Sequence, residues 1–228
     1  MMNFSELYKK DFLEMIETLN GPFVYVNPHE FPDFSDNFSE DIQEIAYRIG
    51  KNDVGAVILP EENKIIIPPL PIEKTFEGDK NFLLEMINKK YTIGIILLRL
   101  GEYSIGIFEG NNLIVHKTGT QFVSGKIKAG GQSAARFQRV REGQINDFFK
   151  RVCSQIKEKF NPYEEKIEFI FFGGDSIVVK EFIEFCDYMK RFKERNIIMK
   201  RILSARHMKL KMLKNILKEV WKFRVYEF

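Results

Sequence analysis

Three β-rich runs, at residues 91–98, 103–108 and 112–116, are separated only by the turn signals Gly101-Glu102 and Glu109-Gly110-Asn111. With so little chain between them, antiparallel neighbours joined as a meander are the natural solution. A helical pattern then runs from Ser133 to about Phe160. In it Ala134, Phe137, Val140, Ile145, Phe148, Val152, Ile156 and Phe160 recur mostly every three or four residues. Residues 166–172 read as another strand. Gly173-Gly174-Asp175-Ser176 turns that strand into a helix reaching about residue 195, with Asp175 or Ser176 as its cap. The order strand, strand, strand, helix, strand, helix predicts an α/β fold: a mixed sheet of ribonuclease-H-like topology flanked by helices.

Upstream, the spacing of Leu7, Phe12, Leu13, Ile16 and Leu19 predicts a helix over 5–19, stopped by Gly21-Pro22. Strands are expected at 23–26, 54–59 and 64–67, and helices at 39–49 and 79–89. Pro68-Pro69-Leu70-Pro71 is the only proline cluster and marks a domain boundary. Three segments result: 1–76, a small N-terminal α+β domain; 77–190, the mixed-sheet domain; and 191–228, a basic helical C-terminal segment. Trp221, Phe223, Val225 and Tyr226 suit a final strand or a docking segment.

Several classes fall away on composition. Of 228 residues 44% are hydrophobic and 22 are Phe, too much apolar surface for a disordered chain. The longest apolar run, 93–98, is far short of the roughly 20 residues that cross a bilayer. The N-terminus has neither the basic nor the apolar region of a signal peptide. Cys153 and Cys186 are too few for a disulfide framework or a four-ligand zinc site, and Cys153 reads as core. His29, His116 and His207 have no ligand spacing. A reducing cytoplasm is expected, with no metal and no cofactor. Two-metal nucleases of ribonuclease-H shape need a carboxylate on the first strand, and residues 91–98 contain none.

The formal net charge is only +3, but it is unevenly spread: −10 over residues 1–88, +6 over 117–141 and +10 over 189–228. Such polarity points to a polyanion meeting one part of the surface. A basic amphipathic C-terminal segment could also meet a membrane. Residues 117–141 carry six cations, no anion, and glycines at 119, 125, 130 and 131. Without His, Cys, Asp or Glu, this stretch can build neither a nucleophile–base pair nor a metal site. Catalysis here would work by positioning and by hydrogen bonds at developing charge.

The string Gly130-Gly131-Gln132-Ser133-Ala134-Ala135-Arg136-Phe137-Gln138-Arg139-Val140-Arg141 resembles the GGQ loop and following helix of eukaryotic and archaeal class-1 peptide release factors. The similarity covers about 77–190, the middle domain of those factors. It implies that Gly130 and Gly131 shape a tip entering the peptidyl-transferase centre. The Gln132 backbone amide would stabilise an oxyanion while its side chain places water. Lys117, Lys126, Lys128, Arg136, Arg139 and Arg141 would contact ribosomal RNA or the tRNA acceptor end.

The NIKS-type and YxCxxxF-type decoding motifs are not found in residues 1–76. Members with the catalytic loop but no decoding domain are similar to the Vms/Ankzf-type group, which releases nascent chains from tRNA on stalled large subunits. Pelota-like rescue factors share the middle domain but lack GGQ. The expectation is therefore a cytoplasmic, stop-codon-independent peptidyl-tRNA hydrolase. Its partners would be the large ribosomal subunit, ribosomal RNA and peptidyl-tRNA, with a protein partner at the acidic N-terminal domain and no membrane. The alternatives are a non-catalytic ribosome-binding module and a nuclease cutting the tRNA 3′ end.

Overall fold

A computed structural model describes residues 3–125 and 132–227, with the side chains of Gln132 and Ser133 excepted. The chain forms two compact units: Met1–Lys89 with Leu217–Phe228, and Lys90–Ile216.

The second unit begins with the expected meander. Strands β6 (Thr92–Arg99), β7 (Glu102–Glu109) and β8 (Asn112–Thr120) pair antiparallel. Helix α4 (Gln132–Phe160) follows, and then strand β9 (Phe169–Gly174) lies parallel to β6. The sheet order β8-β7-β6-β9 is the ribonuclease-H-like arrangement of a mixed sheet. Residues 197–203 add a loose parallel edge beyond β9, through bridges from Ile170 to Ile198 and from Gly173 to Leu203. Asp175 caps α5 (Ser176–Phe185), its carboxylate accepting from the amides of Ile177 and Val178. Helix α6 (Asp187–Glu194) completes this layer.

One sheet face packs Ile96, Leu98, Tyr103, Ile105, Ile107, Ile170 and Phe172 against α4, through Phe148, Val152, Ile156 and Phe160, and against Val179 and Phe182 of α5. The opposite face is covered by the chain after residue 198. There the Ser104 hydroxyl donates to the Met208 carbonyl, and Leu213 of α7 (Leu210–Asn215) sits over Gly106.

The first unit is a six-stranded antiparallel sheet, ordered β1-β10-β4-β3-β2-β5. Its strands are β1 (Asn3–Tyr8), β2 (Phe23–Val26), β3 (Ala56–Leu59), β4 (Lys64–Ile67), β5 (Phe76–Gly78) and β10 (Lys222–Glu227). Helices α1 (Lys9–Thr18), α2 (Glu40–Ile49) and α3 (Asn81–Asn88) pack on it, and α8 (Leu217–Val220) leads into β10. Phe12 and Ile16 of α1 and Leu83 and Ile87 of α3 share a core with Tyr25, Val57, Ile66, Phe223 and Val225.

Four expectations are corrected. The N-terminal helix starts at Lys9, because Asn3–Tyr8 pairs along its whole length with β10. The proline cluster is not a linker: Leu70 and Ile72 are buried, and the Ile72 amide donates to the Val54 carbonyl. The units therefore part near residue 90, and β5 and α3 stay with the first unit, through pairing of β5 to β2 and burial of Leu83 and Ile87. Residues 191–228 are not one helical segment. They hold irregular chain, the short helices α7 and α8, and the interior strand β10. Finally, Cys153 does not sit in the core as a thiol. It is disulfide-bonded to Cys186 at the α5–α6 junction, with Cα atoms 5.6 Å apart.

Candidate functional site

Strand β8 runs to Thr120, four residues further than its hydropathy pattern predicts, and two of the four residues it takes from the expected loop are among those named above. Gly119 is one of them. A Cβ there would lie 2.5 Å from the Tyr103 hydroxyl oxygen, so this glycine makes room for a buried ring and is not a loop hinge. Lys117 is the other. Its charge acts on Glu158 near the far end of α4. Glu158 lies below the ordinary carboxylate range, mainly through its hydrogen bond to Lys159, with Lys117 contributing least.

Helix α4 has two parts with different surroundings. From Phe148 onward it carries the core residues named above. Before Phe148 no described residue is buried, and residues 135–140 are exposed all round. The stretch from 132 to 144, before Ile145 packs against the core, makes a stalk about 20 Å long at 1.5 Å per residue. The apolar spacing of Phe137 and Val140 continues the buried stripe of the helix past the edge of the sheet, and both are about half exposed. Phe122, at the base, is 78% exposed.

The stalk is fastened to the end of β8. The Ser124 amide donates to Gln144 Oε1 at 2.9 Å, and the Ser124 carbonyl accepts from Arg141 Nε at 2.9 Å. Lower down, Arg151 donates to the Thr120 carbonyl at 3.4 Å. Both backbone polar groups of Ser124 are thus held by side chains three apart on one helix face. This clamp fixes the chain on the outgoing side, while α4 fixes it on the return at Gln132. Residues 125–131 lie between.

Among the anticipated site residues, Arg136 and Arg139 are exposed on the stalk, and Arg141 is half-buried in the clamp. Lys117 is elsewhere: Arg139 and Glu158 are 19 positions apart, about 28 Å along α4. Gly130, Gly131, Lys126 and Lys128 lie outside the described residues, as does the side chain of Gln132. Helix α4 nevertheless opens at Gln132, so the first-turn amides, which have no partner within the helix, and the positive end of its dipole belong to the GGQ triplet's end of the helix. Sequence reasoning missed Ser124 and Gln144. Gln144 is three positions after Arg141, but no local pattern marks Ser124 as their shared partner. Among the described residues, no group of three His, Cys, Asp or Glu could hold a metal ion. No described helix is long and apolar enough to cross a membrane.

Residues 91–226 match the family model described as the Actinobacteria/chloroflexi VLRF1 release factor, more than half of the chain. The chain belongs to this family. It is also 36% identical over 144 residues to peptide chain release factor subunit 1-1 of Methanosarcina acetivorans, covering 60% of this chain and 35% of that protein. It thus spans about a third of the length of that curated relative. Two solved structures are similar at a distance. A crystal structure of an archaeal translation termination factor has a TM-score of 0.44 at 18% identity, covering 92% of this chain and 68% of its own. The Vms1 mitochondrial localization core has a TM-score of 0.42 at 14% identity, covering 74% of each chain.

Proposed function

We propose that this protein is a peptidyl-tRNA hydrolase that acts without reading a stop codon. It releases nascent chains from tRNA on stalled ribosomes or large subunits. One observation carries the reading: in a release-factor family member, the triplet Gly130-Gly131-Gln132 leads into a helix whose first turns are exposed and cationic.

The chemistry follows from what the loop lacks. Residues 117–141 contain no acid or histidine, so no side chain there can take a proton from water. The Gln132 amide, in the first turn of α4, would meet the oxyanion that forms when the peptidyl ester is attacked. The Gln132 side chain, both donor and acceptor, would place the attacking water, and Gly130 and Gly131 would let the backbone approach. The peptidyl-tRNA supplies its own hydroxyl groups nearby, and the site contributes orientation. Lys126, Lys128, Arg136 and Arg139 would hold phosphates of the tRNA end or of ribosomal RNA. Residues 1–88, at −10, have the wrong sign to follow an RNA surface and suit a protein partner instead.

The decisive experiment is release of peptide from stalled large-subunit complexes by wild type and Gln132→Ala, with the tRNA product resolved on a gel. Wild type is expected to release peptide and leave full-length tRNA, and the variant to bind but not release. Equal release by Gln132→Ala refutes the mechanism. A shortened tRNA identifies a nuclease, and binding without hydrolysis by wild type identifies a docking module.

A further inference from the structure

The face of the four-stranded sheet opposite α4 is crossed by a strap, residues 199–216. It leaves the β9 edge where the Leu203 amide donates to the Phe172 carbonyl and the Gly174 amide to the Leu203 carbonyl. It then passes beneath Ser104, which donates to the Met208 carbonyl, and ends as α7 over β7 and β8.

The strap buries one set of side chains and exposes another, with Arg201, Ile202, Leu210 and Met212 between the two. Met199, Leu203, Met208, Leu213 and Ile216 are buried and seal the sheet. Arg206, Lys209, Lys211 and Lys214 are exposed, and among the described residues none of them makes an ion pair. From Arg195 to Ile216 there are seven cations and no acid. Lys211 and Lys214, three apart on one short helix, repel each other, a small cost that nothing on the strap offsets.

We infer that this strap is a second RNA-binding surface, in which Arg206, Lys209, Lys211 and Lys214 hold the phosphate backbone of folded large-subunit RNA. The inference rests on the proposed function for the source of that RNA. Three points favour it. The outer surface is cationic and carries no acid, as phosphate contact requires and a mixed protein interface does not. Five of its apolar side chains are buried and Ile202, Leu210 and Met212 are partly buried, so no fully exposed apolar side chain stands on the strap as a wedge for a bilayer. It also lies on the sheet face away from α4, so an RNA held there does not compete with a substrate at the stalk. The stalk would then present the loop, while the strap grips the body of the domain.

The test is co-sedimentation of the full chain with purified large subunits across a potassium chloride series, for wild type and for R206Q/K209Q/K211Q/K214Q. Four lost phosphate contacts lower the slope of log affinity against log salt by about 3 and weaken binding at low salt by at least about tenfold. A charge-preserving R206K/K209R/K211R/K214R variant is expected to keep wild-type slope and affinity, which separates charge from folding. Hydrolysis of free peptidyl-tRNA is expected to be unchanged in the glutamine variant. If no variant hydrolyses anything, the catalytic reading fails, while the binding series still decides the strap. Wild-type slope and affinity in the glutamine variant overturn the inference. So does a loss confined to competition by free tRNA, with subunit binding intact.

Discussion

The clamp on Ser124 makes a quantitative prediction about the loop it closes. Gln144→Ala removes a neutral hydrogen bond, worth about 1 kcal/mol net, and Arg141→Met a charge-assisted one, worth about 1.5 kcal/mol in this partly solvated place. In the proposed reaction neither residue is assigned a contact with the ester. Their effect is to hold the outgoing strand, so that residues 125–131 return to Gln132 from a fixed point. If that ordering is used in the transition state, each 1.4 kcal/mol is tenfold in rate. Release under saturating conditions then falls about fivefold in Gln144→Ala and about tenfold in Arg141→Met. Because the two bonds grip one residue, the losses are coupled, and the double variant falls short of the roughly fiftyfold product. Hydrogen exchange gives a readout independent of activity, since the Ser124 amide exchanges about fivefold faster once Gln144 is removed. Wild-type release and wild-type Ser124 exchange in the double variant would refute the reasoning.

Gly119→Ala drives a methyl group into the buried Tyr103 ring and is expected to cost about 1–3 kcal/mol in a thermal melt. Gly125→Ala, whose Cβ meets nothing within 4 Å, is expected to leave the midpoint unchanged. Reduction of Cys153–Cys186, which closes a separation of 33 residues between α4 and the α5–α6 junction, is expected to destabilise the second unit by about 3–4 kcal/mol. A denaturant series with and without a dithiol reductant measures it, and coincident curves would contradict it. In the first unit, Lys222 donates to Glu219 at 3.0 Å and to Glu6 at 3.1 Å. Burial opposes its charge, but these carboxylates outweigh burial and raise its pKa above the ordinary lysine value. The raised value makes the stabilisation complete below the unfolded lysine pKa and lost as pH climbs through the folded one. Lys222→Met is expected to cost about 1 kcal/mol at neutral pH, and nothing in strongly alkaline solution.

Local rules made much of the second unit legible in advance. The meander could be read because its turns are short and marked by Gly101 and Gly110, both at positive φ. The strand-to-helix junction could be read because Asp175 caps the very next turn. Helix α4 was legible from its spacing, but where its burial stops was not. Phe137 and Val140 keep the period of Phe148 and Val152, and only the edge of the sheet distinguishes them. The first unit was harder. Phe23–Val26 and Lys64–Ile67 announce themselves as strands, whereas Asn3–Tyr8 is a strand solely because Lys222–Glu227 lies beside it. No window along the chain spans that separation.

By itself the sequence determined the elements whose signals are short-range: the hairpins, the caps, the long helix and the GGQ string with its charge. Tertiary structure alone decided which of those elements share a surface. It set Lys117 within electrostatic reach of Glu158 and away from the stalk cations, engaged Arg141 at Ser124, joined Cys153 to Cys186, and laid the acid-free strap across the second face of the sheet. The physical reason is the same throughout. Periodicity and capping depend on neighbours within a few residues. Pairing, burial and charge proximity depend on chain segments brought together by the core.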